Sequence, residues 1–449
     1  MIYKILKFLA RITVHSYFKR VRIIGKEKIP ENVPCIYIAN HPSAFMDPVV
    51  IATTIKETVY FIAAGEYVGK GIKGWFFKTF LHMIPVYRPS TRPEDVNKNK
   101  DMFQACFNHL SEQGSLLIFP EGVSITERKL KPLKTGVARI SIGAELQNKL
   151  NLNLYIVPIG LNYSSPHQFR SDLFVNIGKP IRVKDFISTN LENETDEVDK
   201  LTDRCEEALQ NAILHINNEN DDTLLNKLNA IYSRNLKLEL GVEYKEQERE
   251  FVLQKEMIDA IDYFKLNHPE KFISVTKHID DYTNKLEQNG LNDKDIMEIK
   301  FQKSFRRITS YILGLPIFLL GFVNNFLPYF FVLFLVPKIK LHENFRGSMI
   351  LALGLFSFVG FYLALSICLG IFTPISWFAI IYPIVMYSTG LYALIYFSAI
   401  HYSNERKNLR QILKSNKSLL EELIFDRKKL ILILDECKVK FEMNKESTN

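Results

Sequence analysis

Asn40–His41–Pro42–Ser43–Ala44–Phe45–Met46–Asp47–Pro48 follows directly on the apolar run Cys35–Ala39. A histidine at a strand's carboxyl end, with an acid a few residues on, is a common way to present a base and its orienter. The carboxylate fixes the imidazole tautomer and raises its basicity, and the other ring nitrogen is left to take a proton from an alcohol. No serine occupies a nucleophile elbow, so an alcohol that gives its proton to His41 would itself attack an acyl carbonyl. A capping aspartate beside a surface histidine is the plainer account, and on this motif alone it is about as good.

Three further blocks lie downstream. In Ile84–Pro85–Val86–Tyr87–Arg88–Pro89, Arg88 offers a planar fork for a phosphate, although most such arginines are simply solvated. In Phe119–Pro120–Glu121–Gly122–Val123–Ser124, Gly122 lets backbone amides approach a ligand, and Glu121 and Ser124 offer acceptors and donors to its hydroxyls. The basic run Arg128–Lys134 could hold anions, and Gly136 then opens a helix whose N-terminus also favours negative charge. A solvated loop accounts equally for Lys129 and Lys131. Ile156–Val157–Pro158–Ile159–Gly160 reads either as the lining of an acyl channel or as a core strand.

These blocks need elements to hold them. Strands are expected at Cys35–Ala39, Val59–Ala63, Ser115–Phe119, Leu154–Ile159 and Leu173–Ile177, with helices over about 94–112 and from Gly136. Strands alternating with helices argue an α/β domain whose mixed, largely parallel sheet is flanked by helices. The periodicity does not give the strand order.

The 449 residues are 47 % apolar, but unevenly so. Residues 186–304 are highly charged, with helical patterns broken at Asn267–Pro269 and Gln288–Gly290, and read as a helical insert that carries no chemistry. Residues 348–371 and 377–400 are each long enough to cross a bilayer, which takes about 20 apolar residues. They form a membrane helical hairpin turning at Phe372–Pro374. Residues 308–336 are also apolar but are interrupted by Pro316, Asn324, Asn325 and Pro328. Basic flanks at Lys303–Arg307, Lys338–Arg346 and Arg406–Lys414 all favour the cytoplasmic side, so 308–336 is expected to be re-entrant rather than spanning. Both chain ends then lie in the cytoplasm, and residues 402–449 return as a charged helical tail. Residues 1–25 carry interleaved basic and apolar positions and no uninterrupted signal core. They fit an interfacial amphipathic helix, or equally one packed on the domain.

A net charge of +8 suits anionic substrates beside anionic lipid. No nucleic-acid-binding signature accompanies it, so no nucleic-acid partner is expected. The five cysteines are scattered and never spaced as metal pairs, which implies neither a disulfide framework nor a metal site.

Taken in order within about 120 residues, the four blocks resemble the glycerolipid acyltransferase superfamily over roughly residues 20–185. FPEGVSITERKLKPLKTGVARI, LNYSSPHQFRSDLFVNIGKPI and the late apolar spans resemble most its glycerol-3-phosphate/dihydroxyacetone-phosphate acyltransferase branch. The resemblance implies a catalytic base at His41 with Asp47 as partner, Arg88 and Lys134 on the acceptor phosphate, and Glu121, Gly122 and Ser124 around the acceptor backbone. It implies an acyl thioester donor, on coenzyme A or acyl carrier protein, a phosphorylated glycerol acceptor and membrane lipid as partners, with no cofactor or metal. A bacterial inner membrane is read ahead of the endoplasmic reticulum. The same-class alternative is a 1-acylglycerol-3-phosphate acyltransferase; the alternative of another class is a catalytically silent membrane scaffold. One feature departs from the superfamily pattern. Five residues separate His41 from Asp47 instead of four, which the branch shares. On one helix that offset would put them on different faces, so they are expected to meet across a turn at Pro42.

Overall fold

The computed structural model describes residues 2–69, 71–88, 93–188, 194–216, 218–239, 247–297, 305–340, 342–372 and 376–448. These fall into two compact units. The first comprises Met1–His215 with Phe331–Ser357, and the second Ile216–Phe330 with Phe358–Asn449.

The first unit is built on an eight-stranded sheet. Its strands are β1 (Arg20–Ile24), β2 (Cys35–Ala39), β3 (Val59–Ala64), β4 (Met83–Val86), β5 (Ser115–Ile118), β6 (Tyr155–Tyr163), β7 (Asp172–Ile177) and β8 (Ile181–Arg182). The order is β1-β7-β6-β2-β5-β3-β4, with β8 also on β6. From β6 through β2, β5 and β3 to β4 every pairing is parallel, whereas β7 and β8 run antiparallel to β6. All five expected strands are present, and β1, β4 and β8 are additional.

β2 is buried along its whole length, as an unbroken apolar run in a covered parallel sheet should be. Its side chains alternate between two cores: Ile36 and Ile38 join Leu116 and Ile118 on one face, while Cys35, Tyr37 and Ala39 join Leu117 on the other. The first face is covered by α5 (Asn99–Ser111), α6 (Gly136–Gln147) and α7 (Glu194–Ala212), the second by α1 (Ile2–Tyr17) and α2 (Met46–Thr54). The buried Glu145 on α6 accepts Leu154 N–H at 2.7 Å, pinning that helix to the strand entering the sheet beside β2.

Two expected boundaries are corrected. The domain does not end at 185: α7 belongs to it, because Val198, Leu201, Cys205 and Leu209 form an apolar stripe packed into the core behind a charged outer face. Gly160 on β6 permits this approach, since a Cβ there would lie 2.0 Å from the Ala212 carbonyl oxygen. Nor are residues 1–25 one helix, because α1 stops at Tyr17 and Arg20 begins β1. α1 packs on the domain through Val14 and Tyr17, and Lys7 Nζ donates to the carbonyls of Ile55 (2.7 Å) and Glu57 (2.9 Å) at the end of α2. Its Ile2, Ile5 and Phe8 face outward.

The short helices α3 (Gly65–Val68) and α4 (Gly71–Phe80) link β3 to β4. In the second unit, α8 (Glu219–Glu239), α9 (Gln247–Asn267), α10 (Pro269–Gln288) and α11 (Asp293–Met297) break where expected, with Pro269 at the first turn of α10. Residues 402–448 are not a separate tail. α14 (Ser376–Ser415) continues past the apolar span, and α15 (Lys417–Thr448) joins the bundle through Lys285 to Asp426 at 2.6 Å and Arg427 to Asp293 at 2.8 Å. An apolar cavity of about 290 Å³ lies between α8, α9, α10 and α15, lined by Met257, Phe264, Leu434 and Phe441 among others.

Among the described residues, three helices are long and apolar enough to cross a membrane: the two expected, Glu343–Phe372 and Trp377–Ser403, and a third, Thr309–Lys338. The re-entrant reading of 308–336 fails because α12 (Phe305–Leu335) is one continuous 31-residue helix, about 46 Å long. Its polar positions need no break to be satisfied. Asn325 Nδ2 donates to Gly321 O (2.7 Å) and Met386 O (3.1 Å), and Tyr382 donates to Asn324 Oδ1 at 3.0 Å. Without the re-entrant segment, basic flanks all on one side of the membrane no longer follow. Thr373 and Pro374 of the expected turn lie outside the described residues.

Candidate active site

The parallel strands β2, β3, β4, β5 and β6 share one carboxyl edge, where ligands bind in open α/β sheets. β2 delivers His41 there, β5 the Phe119–Ser124 loop, β4 Arg88, and β6 Tyr163.

Asn40 locks the end of β2 in place. Its side chain is buried, donates to Leu161 O at 3.0 Å and accepts from Leu161 N at 2.7 Å. The next residue, His41, is held at both backbone ends: its N–H donates to Glu121 Oε1 (2.8 Å), and its carbonyl accepts from Ile125 N (3.1 Å). The imidazole stacks on Phe119, centroids 4.0 Å apart, and its Nδ1 lies 2.8 Å from Asp47 Oδ2.

Asp47 is fully buried on the first turn of α2, and its charge is compensated on every side. Oδ2 also accepts the Ser43 N–H at 2.8 Å, and Oδ1 accepts the Tyr163 hydroxyl at 2.8 Å. The helix N-terminus favours the anion as well. An ionised carboxylate only accepts, so with Asp47 as the anion His41 Nδ1 is the donor in this pair, and a neutral imidazole then has its lone pair on Nε2. The imidazole remains 19 % exposed, enough for an alcohol to reach it. Burial, then Asp47, push the Tyr163 phenol well above its ordinary value and keep it a donor.

The six-residue offset is absorbed in a turn, as expected, but the strain falls on Ala44 rather than Pro42. Ala44 adopts φ 40°, and α2 begins only at Met46. Three residues brace this turn. Ser124 Oγ accepts Ala44 N–H at 2.8 Å, Thr126 Oγ1 donates to Pro42 O at 2.8 Å, and Ser348 Oγ both donates to Ser43 O (2.8 Å) and accepts Met46 N–H (2.9 Å). Ser348 stands on the first turn of α13 (Arg346–Phe372), so the start of an apolar span bears directly on the catalytic turn. Ser348→Ala is expected to lower kcat roughly fivefold, the worth of about 1 kcal/mol of lost hydrogen bonding, with acceptor KM unchanged. Steady-state kinetics that leave kcat at the wild-type value would remove Ser348 from this role.

Glu121 is buried, and its second oxygen accepts Lys131 N–H at 3.0 Å. It therefore ties the β2 and β5 loops to the basic run. Burial raises its carboxyl above the ordinary value, and the N–H groups of Lys131 and His41 pull it back. Gly122 is at φ 70° in a turn closed by its N–H on Phe119 O at 3.1 Å, a conformation that favours glycine. Lys134 lies against Gly122, with its own N–H on Pro120 O at 2.8 Å. His41, Asp47, Glu121, Gly122, Ser124 and Lys134 thus converge. Arg88 stands apart, three strands from β2, a lateral distance of about 14 Å. Asn99 brackets Tyr87 beside it, accepting from its N–H and donating to its carbonyl. Ile156, Val157 and Ile159 are fully buried in the core and line no channel.

Tyr163, Asn40 and Ser348 did not emerge as site residues from the sequence. Tyr163 stands within LNYSSPHQF, a string already singled out, and Asn40 directly precedes the histidine. No local signal marks Ser348.

Residues 20–162 match the family model described as Acyltransferase. The match falls on the part of the chain whose motifs resemble the glycerolipid acyltransferase superfamily. Within the superfamily the similarity runs to the glycerol-3-phosphate branch. Glycerol-3-phosphate O-acyltransferase 1 of Saccharomyces cerevisiae is 24 % identical over 410 residues, covering 71 % of this chain and 52 % of that protein. Glycerol-3-phosphate O-acyltransferase 2 of the same yeast is 27 % identical over 206 residues, 46 % of this chain and 26 % of that protein. The chain spans about half the length of the first yeast relative and a quarter of the second. The crystal structure of the 1-acyl-sn-glycerophosphate acyltransferase PlsC from Thermotoga maritima overlays with a TM-score of 0.32 at 19 % identity, over 46 % of this chain and 79 % of that one.

Proposed function

We propose that the protein is a membrane-associated O-acyltransferase that moves a fatty acyl group from an acyl thioester to the hydroxyl of glycerol-3-phosphate or dihydroxyacetone phosphate. The observation that carries the chemistry is the buried Asp47 holding His41 Nδ1 at 2.8 Å while itself held by Tyr163 and Ser43. Nε2 takes the acceptor's hydroxyl proton as its oxygen attacks the thioester carbonyl. The tetrahedral intermediate then expels the thiolate, which recovers the proton from His41, leaving an ester and a free thiol. Lys134, beside Gly122, and Arg88, at the far end of the same edge, supply cations for the acceptor's phosphate. Glu121 and Ser124 shape the acceptor pocket through the loops they hold. The names of the two yeast relatives support the acceptor class.

The catalytic unit is placed at the cytoplasmic face. Lys338, Lys340 and Arg346 border the segment that braces the catalytic turn within the same unit, and basic residues beside a span favour that side.

The test is purified protein in lipid with one acyl thioester and a panel of acceptors. Glycerol-3-phosphate or dihydroxyacetone phosphate should be turned over in preference to 1-acylglycerol-3-phosphate. Arg88→Ala should raise the acceptor KM about tenfold or more, the loss expected for a charge-assisted contact, and leave the thioester KM nearly unchanged. Faster turnover of 1-acylglycerol-3-phosphate would move the protein to the second acylation, and no turnover of any acceptor would favour a scaffold.

A further inference from the structure

α4 has a composition that a water-facing helix should not have. Its sequence GIKGWFFKTF carries five large apolar side chains, yet only Gly74 is buried. Gly74 seats the helix on the preceding turn, where an added Cβ would lie 2.6 Å from Gly69 O. Ile72 is 85 % exposed, Trp75 58 % and Phe76 41 %. A cluster of this kind marks an interaction surface.

Three observations identify what it faces. The only charges on α4 are Lys73 and Lys78, with no acid in the helix; basic residues interleaved with Trp and Phe suit the boundary between lipid head groups and acyl chains. Second, α3, the helix just before α4, leads to a span. Exposed Tyr67 on α3 packs edge-on against Phe45 at 5.4 Å, and Phe45 lies 5.6 Å from Phe345, the residue before α13. Third, α1 adds outward apolar side chains nearby, because its Tyr3 ring lies 5.0 Å from His82, two residues past α4.

We propose that α4 lies in the surface of a lipid bilayer, with Ile72, Trp75 and Phe76 below the head groups and Lys73 and Lys78 among them. Phe45 follows Ala44 directly, so this places the strained catalytic turn one residue from the lipid surface. The inference does not depend on which acceptor is used.

The chain holds two tryptophans, Trp75 and Trp377, so Trp377→Phe leaves Trp75 as the sole reporter in the full-length protein. Reconstituted in vesicles of zwitterionic and anionic lipids brominated near the head of the acyl chain, its fluorescence should fall to about half or less. Iodide in the water should quench it little, as for a ring ~5–10 Å below the surface. The doubly substituted Trp75→Phe, Trp377→Phe protein gives the blank. Quenching by iodide without quenching by brominated lipid would overturn the proposal. Shielding from both would overturn it too, and would mark a protein contact instead.

Discussion

His41→Ala is expected to lower acyl transfer by about 10²–10⁴-fold, the usual contribution of a general base, while folding and lipid association persist. The backbone of residue 41, not its imidazole, makes the contacts that hold the β2 and β5 loops together: its N–H is on Glu121 and its carbonyl on Ile125. Alanine keeps both. It removes the stacking on Phe119 and the donor to Asp47 Oδ2, which still has the Ser43 N–H. The loss should therefore fall on kcat, with acceptor KM and melting temperature little changed. The check is single-turnover acyl transfer from a radiolabelled thioester, alongside thermal melts in lipid. Turnover within tenfold of wild type would mean that another group accepts the hydroxyl proton.

The parts of this site legible in the sequence are those the chain keeps close together. β2 announces itself as CIYIA, five apolar residues bounded by Pro34 and Asn40, and a histidine then follows at the strand's exit. β1 was hidden because Arg20 and Arg22 continue the basic rhythm of α1. Only pairing with β7, where Arg20 Nε donates to Asp172 Oδ1 at 2.9 Å, shows those residues to be a strand edge. Tyr163 lies 116 residues from Asp47, and Ser348 302 residues from Met46. A hydroxyl at such a distance leaves no periodic trace, because its role arises only when the sheet and α13 bring it in. α12 misled for a different reason: proline and asparagine break helices in water, but here neighbouring carbonyls and hydroxyls satisfy the asparagines without a turn.

Asp47→Ala should approach the loss seen in His41→Ala, about 10²–10⁴-fold in kcat, whereas Asp47→Asn should lose distinctly less. The three donors around the carboxylate explain the ranking. Alanine leaves the imidazole without its acceptor, free to rotate and change tautomer, and strands the Ser43 N–H and the buried Tyr163 hydroxyl at about 1–3 kcal/mol each. Removing a buried charge offsets part of that, so the melting temperature should drop only moderately. Asparagine has one carbonyl and one amino group to place. Turned toward Ser43 and His41, the amino group would meet two donors; turned toward Tyr163, it meets a hydroxyl that can reverse and accept. The second orientation keeps the carbonyl on His41 Nδ1, so the tautomer survives and only the charge that stabilises the imidazolium is lost. Adding Tyr163→Phe to Asp47→Asn takes away that accepting hydroxyl and should cost a further few-fold, about 1 kcal/mol. The rates of Asp47→Ala, Asp47→Asn and the double variant, each per folded protein, test the ranking directly. A fully active Asp47→Ala protein would mean that His41 is oriented by something other than the bond at 2.8 Å. An Asp47→Asn protein as impaired as Asp47→Ala would show that charge, and not orientation, is what the buried carboxylate supplies.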